Sequence, residues 1–172
     1  MVTPYSHPRE PATTHEWIKQ WFTDYHLLIV RYVERIVGCP DQAADILQET
    51  FLRAFKALNP AHVPNDPQGW LCRIATNLAI DHLRHRRRWA WLLTQWHPAS
   101  NPDMETATTQ IVHQCILRLK PADAEVLLLT QYLGYSTNEV AALNGEESGT
   151  VRKRLSRARE RFRVLYEKEM SL

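Results

Sequence analysis

Apolar residues in this chain recur three and four positions apart and seldom two apart, a spacing that lines one face of an α-helix and argues against half-buried strands. Glycine, which would break such helices, occurs only five times in 172 residues. Ile18, Phe22, Tyr25, Ile29, Tyr32 and Ile36 mark the buried stripe of a first helix over residues 16–37, which Gly38 and Pro40 close. Asp41 is placed to cap a second helix reaching residue 58, with Ala44, Leu47, Phe51, Ala54 and Leu58 facing inward. Pro60, Pro64 and Pro67 make residues 59–68 a loop. A third helix over residues 69–88 starts apolar, with Trp70, Leu71, Ile74, Ala75 and Leu78, and ends in the run Arg84, His85, Arg86, Arg87, Arg88.

Periodicity then lapses over residues 89–108, which include Pro98, Ser100, Asn101 and Pro102, and returns in four further segments: 111–119, 121–133, 137–143 and 148–167. The expected fold is therefore all-α: a tail over residues 1–15, a helical domain over 16–88, a flexible linker over 89–108 and a second helical domain over 109–172. Trp89, Trp91 and Trp96 make the linker unusual; they either fold back on a neighbouring domain or await a partner surface.

The formal net charge of +2 conceals segregation. Residues 1–88 carry eleven Lys/Arg against nine Asp/Glu, residues 89–151 two against seven, and residues 152–172 eight against three. A basic end of this kind fits a polyanionic partner or a solvated helix face. Cys39, Cys72 and Cys115 are far apart with no C-x-x-C pair, as in reduced thiols of a cytosolic protein, and the eight histidines show no metal-ligand spacing. Residues 1–14 contain no apolar run, so neither a signal peptide nor a membrane span is expected, and the protein is placed in the cytoplasm. With no phosphate-binding glycine loop and no activated nucleophile, an enzyme is not expected; catalytic residues, metal and cofactors are all read as none.

The last helix discriminates further. Val151, Leu155, Ala158, Phe162 and Leu165 form its core stripe, and Arg152, Lys153, Arg154, Arg157, Arg159, Arg161 and Arg163 all lie off it. Before it, Thr137 can cap a short helix, Ala141 is small enough for a close crossing, and Gly145 can take a left-handed turn. Val140 and Val151 then face one core, which makes the pair a helix-turn-helix.

Two longer stretches carry a resemblance. DQAADILQETFLRAF and QGWLCRIATNLAIDHLR, within residues 41–88, resemble region 2 of extracytoplasmic-function (ECF) sigma factors of the sigma-70 family. LKPADAEVLLL, GYSTNEVA and GTVRKRLSRARERF, within residues 119–162, resemble their region 4. The resemblance implies a factor that binds core bacterial RNA polymerase and directs promoter-specific transcription initiation. On that basis Asp45, Gln48 and Glu49 occupy positions that meet the clamp helices of the polymerase beta-prime subunit, although these three would equally suit a solvent-facing helix surface. The beta subunit, promoter DNA and an anti-sigma factor are the other implied partners, without membrane insertion.

The same resemblance puts an unstacked minus-10 base against Ile74, Asn77 and Asp81 beside the loop 59–68, with Arg84, Arg86, Arg87 and Arg88 on the backbone. Asp81 has the alternative of pairing with Arg84 or His85. Minus-35 recognition falls to Arg152, Lys153, Ser156 and Arg157, with Arg154 and Arg161 nearer the phosphates, and Arg157 is the foremost candidate to read a guanine edge. The tryptophan-rich linker corresponds to a segment that threads the polymerase channel. Glu146 and Glu147 depart from the family pattern: two carboxylates there suit a helix N-terminus but would repel phosphates, so either minus-35 binding is weakened or the docking angle is altered. An interaction module that does not read promoters, or an independent helix-turn-helix repressor, are the competing readings.

Overall fold

A computed structural model describes residues 13–93 and 107–171, with side chains described outside 87–93 and 107–109. It is all helical among these residues, with seven helices in two packed groups. Helix α1 (Thr14–Val37) begins at a capping box in which Thr13 Oγ1 accepts from the Glu16 N–H and the Glu16 side chain accepts from the Thr13 N–H. It ends at Gly38, whose φ of 73° lies where a Cβ is disfavoured and whose N–H caps the Glu34 carbonyl. Helix α2 (Pro40–Ala57) starts one residue before the expected cap: Pro40 supplies a first-turn residue with no N–H to satisfy, so Cys39 is the N-cap and Asp41 sits in the first turn. Helix α3 (Pro67–Leu93) is anchored where Asp66 Oδ1 accepts from the Gly69 N–H, 2.8 Å away. It continues five residues past Arg88, so helix extends into the stretch read as linker.

The second group comprises α4 (Ala107–Arg118), α5 (Pro121–Gln131), α6 (Thr137–Asn144) and α7 (Ser148–Met170). Val126, Leu129, Val140, Val151 and Ala158 fill its core. An Arg118–Glu169 ion pair ties α4 to the end of α7. No helix among the described residues is long and apolar enough to cross a membrane. The three cysteines are free thiols, and burial pushes Cys72 up to about 12, so it stays protonated at neutral pH.

In the first group the core keeps Ile29, Tyr32 and Ile36 of the expected α1 stripe and Leu47, Phe51, Ala54 and Leu58 of the α2 stripe, and departs from them by one residue at two positions. Trp21 and Val33 are buried on α1, whereas Phe22 is 45% exposed. On α2 it is Ala43 that is buried, and Ala44 faces outward. Trp21 explains the shift: it lies between the rings of Trp17 and Trp70, at 5.8 and 6.0 Å, and claims the inward position next to Phe22. One polar chain crosses this core. Thr76 gives its only proton to the Cys72 carbonyl at 2.7 Å, so the Tyr32 hydroxyl donates to Thr76 Oγ1, also at 2.7 Å. Burial raises the Tyr32 pKa, which keeps that donor in place across the physiological range.

Ile29 has no exposed surface and sits among these groups. Ile29→Ala is expected to lower stability by about 3 kcal/mol in a denaturant titration; a loss near zero would mean that α1 is not seated in the core.

Candidate nucleic-acid interface

The basic face of α7 depends on how α6 hands the chain over to it. Ser136, not Thr137, is the N-cap of α6: its Oγ accepts from the Glu139 N–H at 3.2 Å while the Glu139 side chain accepts from the Ser136 N–H at 2.7 Å. Two adjacent hydroxyl residues offered the cap, and only Ser136 has a carboxylate three positions on. Gly145 turns the chain at φ 65°, ψ 32°, and the next N–H, of Glu146, returns to the Ala141 carbonyl at 2.9 Å. A hydrogen bond from the Ser148 hydroxyl to the Asn138 side chain closes the angle between the helices. Val140 and Val151 are both without exposed surface where α6 packs on α7, as a helix-turn-helix requires.

Helix α7 buries Val151, Leu155 and Ala158 and leaves Arg152, Lys153, Ser156, Arg157 and Arg161 exposed. An open groove of about 810 Å³ runs along it, lined by Thr137, Arg152, Ser156, Arg159 and Arg163. Arg157 Nε is folded back on the Lys153 carbonyl at 3.3 Å, a long bond that a better acceptor would displace. Arg163 is held at both ends by Glu160 (2.7 Å) and Glu167 (3.0 Å). Arg154 differs from its neighbours: it turns back to Glu146 at 2.7 Å and is mostly buried. That pairing neutralises one of the two carboxylates at the turn, so the repulsion expected from Glu146 is largely cancelled within the protein, while Glu147 stays exposed as the N-cap of α7.

On α3 the predicted base-contacting residues share a strip. Asp81 is exposed, Ile74 is half-buried against the core, and Asn77 is half-buried at the strip's edge. Arg86 is exposed, but Arg84 donates from Nη2 to the Leu119 carbonyl, 2.9 Å away in the second group. The Arg87 and Arg88 side chains, those of Trp89 and Trp91, and all of Trp96 lie outside the described residues. Behind the strip, His82 donates from Nε2 to Gln42 Oε1 at 3.0 Å and joins α3 to α2. Burial first, and the Arg86 charge second, hold the His82 pKa below its usual value. The neutral ring's contribution is thus present at neutral pH and is lost as pH falls through that depressed value.

The outer face of α2 carries a second surface. Asp45 and Gln48 are exposed and Glu49 pairs with Arg53 at 2.8 Å. On the same face stand Leu52 and Phe55, and close by Phe22 of α1 lies against the buried Phe51; Leu52, Phe55 and Phe22 are exposed among polar residues. Apolar side chains left in water beside carboxylates and amides mark a protein-docking face. Phe22, expected in the core, is among the exposed residues here.

Comparison with known proteins accounts for both surfaces on one chain. Residues 21–89 match the family model for sigma-70 region 2, and residues 109–162 match that for sigma-70 region 4. The chain belongs to the sigma-70 family. Among its ECF relatives, SigE of Mycolicibacterium smegmatis is 33% identical over 156 residues, covering 83% of this chain and 59% of SigE. SigC of Mycobacterium tuberculosis is 36% identical over 128 residues, 69% of this chain and 66% of SigC. The sigma chain thus spans about six-tenths of the length of these relatives. HrpL of Pseudomonas syringae pv. syringae, 29% identical, is matched over 91% of its length and 92% of this chain.

Two solved structures share the fold. The sigma factor RpoE in complex with the anti-sigma factor NepR from Bartonella quintana aligns with a TM-score of 0.55 at 23% identity, covering 88% of this chain and 98% of RpoE. CnrH in complex with the cytosolic domain of CnrY aligns with a TM-score of 0.56 at 22% identity, over 91% of this chain and 90% of CnrH. In this sigma chain, region 2 is therefore the α1–α3 group and region 4 the α4–α7 group.

Releasing Arg154 adds one mobile cation to the α7 face. Glu146→Gln is expected to steepen the salt dependence of duplex DNA binding, followed by fluorescence anisotropy, by about one unit of logarithmic slope. An unchanged slope would mean that Arg154 already serves the phosphates.

Proposed function

We propose that this chain is a transcription initiation factor that binds core bacterial RNA polymerase and directs it to promoters with minus-10 and minus-35 elements. The observation that carries the reading is the coexistence, in family order, of a region 2 and a region 4 on one chain, the latter a helix-turn-helix with a cationic groove. Its domains run over residues 16–88 and 109–172, with the tail at 1–15 and the linker at 89–108. The exposed face of α2, with Asp45, Gln48 and Glu49 beside Leu52 and Phe55, meets the clamp helices of the beta-prime subunit, and region 4 meets the beta subunit.

Ile74, Asn77 and Asp81 hold an unstacked base. The amide of Asn77 both donates and accepts, and the carboxylate of Asp81 accepts from an exocyclic amino group. Arg84, Arg86, Arg87 and Arg88 follow the backbone. Arg152, Lys153, Ser156 and Arg157 face the duplex major groove, with Arg161 toward the phosphates. Arg154 has a second task as the partner of Glu146, which supports a bracing role at the turn ahead of a phosphate contact. The chain performs no catalysis of its own, works in the cytoplasm without a cofactor, and is held in check by an anti-sigma factor, as RpoE and NepR are found together.

Reconstitution with core polymerase on a promoter library, reading start sites, tests the assignment; a chain that neither joins core polymerase nor changes where transcripts begin is not a sigma factor. Arg157→Ala is expected to reduce promoter-selective run-off transcription about tenfold while polymerase binding persists, as loss of one good base contact implies. Unaltered promoter preference would remove Arg157 from the base-reading set.

A further inference from the structure

Helix α7 begins without a side-chain cap of its own. Its N-cap, Glu147, makes no side-chain hydrogen bond to the first turn, whereas α1 and α6 each open on a reciprocal capping box. The fastening comes from the neighbouring helix instead. The hydroxyl of Ser148, the first residue of α7, donates to Oδ1 of Asn138, the second residue of α6. Asn138 is not needed at the α6 cap, which Ser136 and Glu139 complete between them. A second fastening, the 2.7 Å pair of Glu146 with Arg154, spans the turn further along. Asn138 is exposed and Ser148 half-buried, so their bond lies at the rim of the α6–α7 contact, outside the buried core that Val140, Ala141, Val151 and Leu155 make.

The rim bond does something that the core does poorly. Apolar contact is non-directional: it fixes how closely α6 and α7 approach but tolerates small rotations of α7 about its own axis. A hydrogen bond is directional and has a narrow range of length, so it sets that rotation. The tolerance at a recognition site is small. Side chains reach about 5–6 Å from a helix axis, so a roll of about 10° carries their ends sideways by about 1 Å, twice the ~0.5 Å within which a binding group has to be held. Arg152 follows Ser148 by about one turn and Arg157 by about two and a half, within one unbroken helix, so the roll set at Ser148 is passed directly to both.

We propose that Asn138 is a positioning residue for base reading: acting through Ser148, it fixes the roll of α7 and so sets how sharply the chain discriminates among duplex sequences, while its general hold on DNA is left alone. The proposal rests on the reading of α7 as the major-groove helix given above. Base and phosphate contacts separate here for a physical reason. A base edge takes a guanidinium in one bidentate geometry, whereas the attraction between a cation and a phosphate changes slowly, as the inverse of distance. Misplacement by about 1 Å therefore costs reading and spares attraction. Asn138 and Ser148 carry no charge, so removing either leaves the number of phosphates neutralised unchanged.

The test uses the full chain with core polymerase, as wild type, Asn138→Ala, Ser148→Ala, Ser148→Thr and the double alanine variant. The probes are the promoter that the wild type uses best from a library, copies of it altered at single minus-35 base pairs, and a mixed-sequence duplex. Each alanine variant is expected to lower the run-off preference for the parent promoter over its altered copies about tenfold, as the spoiling of one bidentate contact implies. The double variant should lose no more than either single one, because both residues act through one bond. Ser148→Thr keeps the hydroxyl and should restore the preference. Affinity for the mixed-sequence duplex and its salt slope, by anisotropy, should stay at the wild-type values. Undiminished preference in the alanine variants, additive losses in the double variant, or a parallel loss of mixed-sequence binding each overturns the proposal, the last by making Asn138 a phosphate contact. The two alanine variants lie on different helices, so if the circular-dichroism melt shows one to be unfolded the other, with Ser148→Thr, supplies the comparison. A wild type that directs no transcript from any promoter fails the sigma reading itself, whereas a wild type that discriminates and variants that discriminate equally well remove only the role of Asn138.

Discussion

Helix α3 has to satisfy two neighbours at once, and most of the structure follows from that. Leu71, Cys72, Ala75, Leu78 and Ala79 are buried on it, as are Thr76, Ile80 and Leu83. At about 3.6 residues per turn these positions, together with Arg73 and Arg84, sweep well over half of its circumference. Over residues 71–85 the open part is a strip bearing Ile74, Asp81 and His85, with Asn77 at its border. A surface helix normally buries one stripe. A helix buried over most of its girth needs polar groups that end in satisfied hydrogen bonds, and Thr76, His82, Arg73 and Arg84 each do so against a different element.

The exposed strip of α3 and the edge that meets the α4–α7 group are therefore neighbours by construction. Arg73 and Arg84 reach carbonyls of the α4–α7 group on long side chains, whereas the α1–α3 core is locked by Trp21, Tyr32 and Ile29. One buried apolar cluster runs through both groups, and the Tyr32–Thr76–Cys72 chain lies within its α1–α3 part. The glycine turn plays the corresponding part in region 4, since Gly145 and the Glu146–Arg154 pair fix α7 from within its own domain.

Helical periodicity located all seven helices because a period near 3.6 survives errors of a residue or two. It could not choose between adjacent candidates: Trp21 and Phe22 both look inward on a wheel, and only the rings of Trp17 and Trp70 decide between them. Caps failed in the same way at the starts of α2 and α6, where Cys39 stands two positions before the expected Asp41 and Ser136 one before Thr137. The α7 face was legible because its cations surround an apolar stripe. Arg73 was not, since a single cation inside an apolar run carries no sign of the distant carbonyl it meets, and the pairing of Glu146 with Arg154 spans a turn whose closure has to be seen.

Helix α3 is also long: 27 residues without a break, about 40 Å of rod at ~1.5 Å per residue. Its far end at Leu93 extends beyond the arginine cluster, and its near end is pinned at Asp66. Clasped by both groups from Asp66 to Arg84, such a rod resists bending, so the chain leaves it from a fixed outlet at Leu93.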